Sequence, residues 1–351
     1  MPHPRIHQAQ QLRMPETSAA FMGYRAPAEW EPQACVWVTP PHNPDTWPGC
    51  LDLAQKQFTD FLDELVKVVR VRTTESQQIP TNDSWIRDSG PLFVLRQKDG
   101  NAELACHDFS FNGWGKKYEP RPLDDVVPQQ IAMSLDIPIW IHDLVLEGGS
   151  IEVNGKGTLV TTKSCLLNPN RNPELSQLQI EERLHETLGT SHVIWLHEGL
   201  EGDDTDGHID DLARFVTPDT VVAVSAAPNH PDRAICQRNL EVLRSAQDQD
   251  GAKIQIVELP TPEPIHYDFP ADPFGPRVRS TLPASYTNFL ISNESVFVPV
   301  FGSRSDDEAV RRLEQVLPQY SIVPLRAEHL IVGLGAFHCL TMQQPHSMSD
   351  D

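Results

Sequence analysis

Three segments hold the residues that could do chemistry: NDSWIRDSGP around Asp88, EGDDTDGHIDDLARF around His208, and GLGAFHCLTMQQP around Cys339. A thiol attacks when its surroundings favour the thiolate, whereas most buried thiols only pack. Read from its neighbours alone, Cys339 is open to three uses: structural cysteine, nucleophile, or metal or redox ligand. Gly333 and Gly335 just before it permit a tight turn or a close backbone approach. His338 is a poor base for it, because neighbours on a strand point to opposite faces.

A better base lies in GHIDD. On extended backbone His208 and Asp210 share one face, which suits a histidine–carboxylate pair; a solvated acidic loop and a metal site remain open. Asp88 precedes Gly90-Pro91 and is either salt-linked to Arg87 or available to a cationic substrate. Trp85 is a core residue or an apolar wall against a planar cation. Glu147, before Gly148-Gly149, is a turn acid, an arginine partner or a site carboxylate. Trp114 in FNGWGKKY either shapes a pocket rim with Asn112 or anchors a glycine turn, while Asn168, Asn170 and Arg171 in LLNPNRNP read as turn caps.

These groups need a scaffold, and 351 residues suffice to bury roughly 75% of the extended surface in one large domain or two. The 49 acidic and 28 basic residues give a formal charge of −21. That balance disfavours a polyanionic partner, and no Lys/Arg cluster offers nucleic acid a basic groove. It agrees with a cationic substrate without locating a cleft. Six scattered cysteines, at 35, 50, 106, 165, 236 and 339, form no Cys-x-x-Cys pair, so free thiols in a reducing compartment are expected. With no leader-length apolar segment at the start and no apolar run of about 18 residues, the expected location is the cytoplasm, with no membrane contact. Neither a Gly-x-Gly-x-x-Gly fingerprint nor a Walker loop is present, so no nucleotide cofactor is expected.

Periodicity supplies the elements. Residues 1–20 read as a flexible start, followed by a strand at Ala34–Thr39, a helix carrying Leu53, Phe58, Phe61, Leu62 and Leu65, and a strand at Val68–Val71. LFVLR and ELACHDFSF read as strands about Asp99-Gly100, and SIEVNGKGTLVTT as a hairpin turning at Asn154-Gly155. PELSQLQIEERLHETLG is a helix with Pro173 in its first turn and Gly189 at its C-terminal cap. The later chain repeats the pattern of a two-strand meander, a helix and a further strand, which indicates a pseudo-repeated α/β array sharing one core. The proline-rich stretch 260–285 interrupts it, as a loop that covers a site or as a connector.

Taken together, NDSWIRDSGP, FNGWG, LEGGSIEVNGKGTLVTT, CLLNPNRNP, DDTDGHIDDLARF, SYTNFLI and GLGAFHCLT resemble, in order, the agmatine deiminase and bacterial peptidylarginine deiminase-like family of guanidine-modifying penteins. The resemblance runs from about residue 23 to 345. It implies residues 21–351 as a single catalytic domain, a five-bladed α/β propeller of pseudo-repeated units with its site near the axis. It carries the nucleophile onto Cys339, the acid/base onto His208 and the guanidinium-binding carboxylates onto Asp88 and Asp210, with Trp85, Trp114 and Glu147 lining the substrate site.

The implied reaction hydrolyses agmatine to N-carbamoylputrescine and ammonia through a cysteine thiouronium intermediate, with neither cofactor nor metal. Deimination of free or peptidyl arginine is the alternative; amidine transfer and a non-catalytic arginine-binding module rank below it. Oligomeric state is not read from the chain. Two departures bear on specificity: VGLGAFHCLT stands where the family has a GGGNIHCIT-like segment, and DDTDGHIDD where it has NDETNGHVDN.

Overall fold

The pseudo-repeat is visible as five similar units in a computed structural model that describes residues 18–119, 121–269 and 278–347. In the first unit β1 (Gln33–Val38) leads through α1 (Leu51–Leu65) to β2 (Arg70–Thr73). The second holds β3 (Leu92–Lys98), β4 (Asn101–Ser110), α2 (Val127–Leu135) and β5 (Ile139–Val145), and the third β6 (Ile151–Val153), β7 (Thr158–Thr162), α3 (Gln177–Leu188) and β8 (His192–Leu196). A fourth comprises β9 (Ala213–Thr217), β10 (Thr220–Ser225), α4 (Arg233–Ser245) and β11 (Gln255–Pro260). After the hairpin β12 (Ile265–Phe269) and β13 (Val278–Leu282), the fifth has β14 (Leu290–Ser292), β15 (Ser295–Val300), α5 (Asp306–Val316) and β16 (Ser321–Arg326). The last strand, β17 (Thr341–Pro345), returns to pair antiparallel with β1.

Within each unit a central strand pairs antiparallel on one side and parallel on the other, as β10 does with β9 and β11. The parallel partner follows a helical crossover, which is what parallel pairing requires. The mixed α/β class is as expected, but the five-bladed propeller is not: among the described residues the strands divide into six small open sheets, five of three strands and one of two, and none closes or curls on itself. Local pattern dictates each unit, and strand pairing ends at the unit's edge. Nothing in a repeat's own sequence requires the repeats to close.

Local chemistry explains the elements. In α1 the buried side chains Ala54, Phe58, Phe61 and Leu65 recur at helical spacing; Leu53, expected among them, is exposed. Asp99 and Gly100 both take positive φ, 53° and 84°, the geometry that a two-residue hairpin loop needs. Helix α3 begins later than Pro173 suggested, because Ser176 and Gln179 form a reciprocal capping box there, and it ends as expected at left-handed Gly189. The largest apolar cluster includes Trp47, Trp85, Trp114, Phe337 and Cys339, so the core extends up to the candidate nucleophile.

Of the proline-rich stretch, residues 270–277 lie outside the described range, while the flanking arms pair as β12 and β13. Tyr267 ties this hairpin down by donating to the Pro48 carbonyl at 2.5 Å. All six cysteines are free thiols. No helix among the described residues is long and apolar enough to cross a membrane.

Candidate active site

Cys339 sits in a turn that leads into β17, not on a strand. Close backbone approach is the reason for the glycines before it: a Cβ on Gly335 would lie 2.5 Å from the Trp85 ring and 2.9 Å from Cys339 Cβ. Asn288 grips the turn with both ends of its amide. Its Oδ1 accepts from the backbone N–H of Ala336 and of His338, at 3.2 and 3.1 Å, and its Nδ2 donates to Cys339 Sγ at 3.0 Å. The thiol opens onto a cavity of about 270 Å³ lined also by Trp85, Asp88, Trp114, His208 and Asp211.

Asp88 is carried by the helical turn Ile86–Ser89. Its Oδ2 accepts from Trp114 Nε1 and its Oδ1 from the Gly149 N–H, both at 2.9 Å. Trp114 reaches it from a left-handed backbone, φ 53°. Arg87 does not pair with Asp88; it turns to Glu29 at 3.4 Å and to Gln343 Oε1 at 2.8 Å. His208 Nδ1 stands 3.7 Å from Asp88 Oδ1. Gly149 makes this crowding possible, since a Cβ there would come within 2.6 Å of His208 Nδ1, 2.9 Å of Asp88 Oδ1 and 3.1 Å of Asp210 Oδ2.

His208 and Asp210 converge through a 3₁₀ turn at Ile209–Asp211, not through the extended backbone expected from their spacing. Asp210 is fully buried and sits beside the thiol, its Oδ2 3.5 Å from Cys339 Sγ. The residue that reaches the cavity is its neighbour Asp211, which accepts from Asn288 Nδ2 at 2.9 Å. The His338 ring, set aside as a base, meets Asp210 Oδ2 at 2.7 Å.

Among the expected site residues, Trp85 and Trp114 line the cavity and Glu147 does not. Glu147 is buried beneath, accepting from Arg171 Nε at 2.7 Å. A carboxylate oxygen of Glu147, Cys165 Sγ and a ring nitrogen of His208 lie within 4.8 Å of one another, so these three could hold a metal ion. Asn170 and Arg171 both bond Asp206 Oδ2, at 2.9 and 2.6 Å, and thereby fix the acidic loop. Sequence reasoning passed over Asn288 and Asp211, although the first lies in SYTNFLI and the second follows Asp210 directly.

Electrostatically the site carries more negative than positive groups. Burial, then Asp210, Asp211 and Asp88, push the Cys339 thiol well above the usual range against the Asn288 hydrogen bond. Burial and the carboxylates of Asp210 and Asp203 push Asp211 well up, and burial raises Asp88. For His208 burial works downward, but Asp88, Cys165 and Asp210 raise it well above the ordinary imidazole value, so it holds a proton. Asp210 alone goes the other way: burial pushes it up, and the hydrogen bond and charge of His338 pull it below the usual carboxylate range.

A family profile described as Porphyromonas-type peptidyl-arginine deiminase matches residues 25–345. An agmatine deiminase from Medicago truncatula is 36% identical over 368 residues, covering 94% of this chain and 98% of its own. Another, from Stutzerimonas stutzeri, is 36% identical over 92% of this chain and 96% of its own. The solved structure of Enterococcus faecalis agmatine deiminase superimposes with a TM-score of 0.89 at 31% identity, covering 95% of this chain and 99% of that one. With sequence and structure agreeing over nearly its whole length, the chain belongs to the Porphyromonas-type peptidyl-arginine deiminase family, in the guanidine-modifying pentein superfamily.

Proposed function

We propose that this protein is an agmatine deiminase, a hydrolase that converts agmatine and water to N-carbamoylputrescine and ammonia. The observation that carries the reading is the gathering of Asp88, Asp210 and Asp211 around one buried thiol, which leaves the site short of a cation. A guanidinium supplies that charge, and it is planar enough to accept carboxylates at its edges in charge-assisted hydrogen bonds. The agmatine deiminases among its relatives support the same assignment.

On this reading Asp88 and Asp210 hold the guanidinium with its central carbon over Cys339 Sγ. The substrate's positive charge offsets the three carboxylates and favours the thiolate, whose proton passes to solvent as the substrate enters. Sulfur attacks the carbon, forming a tetrahedral intermediate. His208, protonated in the resting site, gives its proton to the departing nitrogen, and ammonia leaves an S-alkylthiouronium on Cys339. Neutral His208 then takes a proton from water as it attacks, and collapse of the second tetrahedral intermediate releases the ureido product and the thiol. The steps balance without a redox partner. Trp85 and Trp114 form apolar walls for the planar group.

The acidic lining of the cavity suits agmatine better than arginine. Among the described lining residues the one guanidinium is Arg121, already engaged by Asp83 at 2.9 Å, and Asp45, Asp83 and Asp204 line the same cavity. A substrate amine suits such a surface, whereas a substrate carboxylate would meet like charge. We read residues 21–351 as one catalytic unit. The six free thiols support a cytoplasmic setting.

A substrate panel of agmatine, free arginine and an internal-arginine peptide, with ammonia and ureido product both measured, tests the assignment. Agmatine should give the highest kcat/KM, and Cys339→Ala should abolish turnover without lowering the Tm. Turnover that survives the loss of Cys339, or a preference for the peptide, would sink it.

A further inference from the structure

Asp210 is joined to a buried ionic chain, no member of which lines the substrate cavity; Asp210 meets the site through Cys339, whose Sγ lies 3.5 Å from its Oδ2. His338 Nδ1 lies 2.7 Å from Asp210 Oδ2, and His338 Nε2 lies 2.9 Å from Glu29 Oε2. Glu29 in turn faces Arg214 Nη2 at 2.8 Å and Arg87 Nη2 at 3.4 Å, and Arg214 Nε donates to Glu152 at 2.7 Å. All six residues are at least 94% buried.

An ionised carboxylate only accepts hydrogen bonds, so a ring nitrogen held against one must carry a hydrogen. His338 is held against two, one on each nitrogen. A neutral ring would turn a lone pair on one of them. Charge balance agrees: with an imidazolium, Glu29, Glu152 and Asp210 are matched by Arg87, Arg214 and His338, and a neutral ring would leave a net buried negative charge, which is costly. Asp210 Oδ1, buried as well, has no hydrogen-bond partner among the described residues.

We propose that His338 is a positioning residue for deimination: as an imidazolium clamped between Asp210 and Glu29, it fixes Oδ2 of Asp210 and keeps Oδ1 free and anionic for the substrate guanidinium. The proposal rests on the deiminase reading above. It gives the residue before the nucleophile a task distinct from its backbone, whose N–H is already held by Asn288 Oδ1 at 3.1 Å. Substituting the side chain leaves that contact in place, so the ring's contribution can be measured separately.

Two measurements test it on the full chain. With ¹⁵N-histidine labelling, the His338 signals, identified by their loss in His338→Asn, should show both ring nitrogens as N–H; a neutral tautomer pattern overturns the proposal. The second is a double-mutant cycle on agmatine binding to Cys339→Ser protein. His338→Asn should weaken binding about 100-fold, the scale of removing one preorganised charged group. In an Asp210→Asn background it should cost less than about 3-fold, and in an Asp88→Asn background its full effect should remain. An equal cost with and without the Asp210 carboxylate, or none at all, overturns the proposal. Should His338→Asn fail to fold, Glu29→Gln serves in its place, expected to give a smaller loss with the same dependence on Asp210; a loss independent of Asp210 counts against the proposal. If wild-type protein releases no ammonia from any guanidine, the deiminase reading itself has failed; turnover without coupling between His338 and Asp210 refutes only the positioning role.

Discussion

Gly149 offers a test in which one added carbon addresses three site residues at once. Its φ lies outside the left-handed region, so alanine brings no backbone strain, and the effect is one of contact alone. The new Cβ would stand 2.6 Å from His208 Nδ1, about 0.8 Å inside the 3.4 Å at which ordinary contact begins, and 2.9 Å from Asp88 Oδ1, about 0.5 Å inside it. Both groups must move by several tenths of an ångström, in a site where a misplacement of about 1 Å costs roughly 10²-fold. Gly149→Ala should therefore lower kcat/KM for agmatine by about 10²-fold, or roughly 2.7 kcal/mol of transition-state stabilisation. Steady-state ammonia release gives the rate, and thermal melting separates it from misfolding, with the Tm expected within a few degrees of wild type. Gly148→Ala is the contrast: its Cβ would meet the Arg87 carbonyl at 2.1 Å, which neighbouring backbone cannot easily yield, so stability should fall. A Gly149→Ala enzyme within about threefold of wild type would refute the geometry assigned to His208 and Asp88.

Trp114→Phe keeps the apolar wall but removes the donor to Asp88 Oδ2; hydrogen bonds to charged groups are worth about 1.5–3 kcal/mol, so the KM for agmatine should rise roughly 10- to 100-fold, and an unchanged KM would count against Asp88 as a guanidinium ligand. Leu334 lines the cavity with a φ of 73°, a conformation costing a non-glycine residue about 1–2 kcal/mol; Leu334→Gly should hold its Tm and raise arginine turnover relative to agmatine, and an unaltered preference would remove Leu334 as a selectivity residue. Burial, opposed by the Asn82 and Asp83 N–H groups, holds Asp124 up at about 7. Because its folded value lies above the unfolded one, its contribution to stability is complete below about pH 4 and fades as the pH rises through 7. The Tm of Asp124→Asn relative to wild type should accordingly rise between pH 4 and pH 8, and a flat difference would show that Asp124 is not held protonated.

The repeating unit was legible because its periodicities are local: Phe58, Phe61 and Leu65 follow a helical interval, and Asp99-Gly100 and Asn154-Gly155 announce hairpins. How units associate is not written in any one of them, and the propeller expectation failed at that step. Motif order brought Asp88, His208, Asp210 and Cys339 together correctly as neighbours. It could not say that Asp211 would line the cavity while Asp210 does not, because a 3₁₀ turn and an extended segment place consecutive residues differently. Of the three readings open for Glu147, the structure selects the arginine partner: Arg171, 24 positions away, holds it, a pairing that sequence separation alone does not announce. Asn288 escaped notice because an amide shows its value only when both of its ends find partners.

The surplus of negative charge at the floor of the cavity has a consequence for loading. Asp88, Asp211 and Cys339 hold their protons more tightly than they would in water, and agmatine arrives already cationic. Binding of a guanidinium and binding of protons at these groups therefore oppose each other. Acidification then opposes loading, because it favours the protonated forms of these same three groups, the nucleophile included. Guanidinium and proton are thus rival cations for one acidic floor.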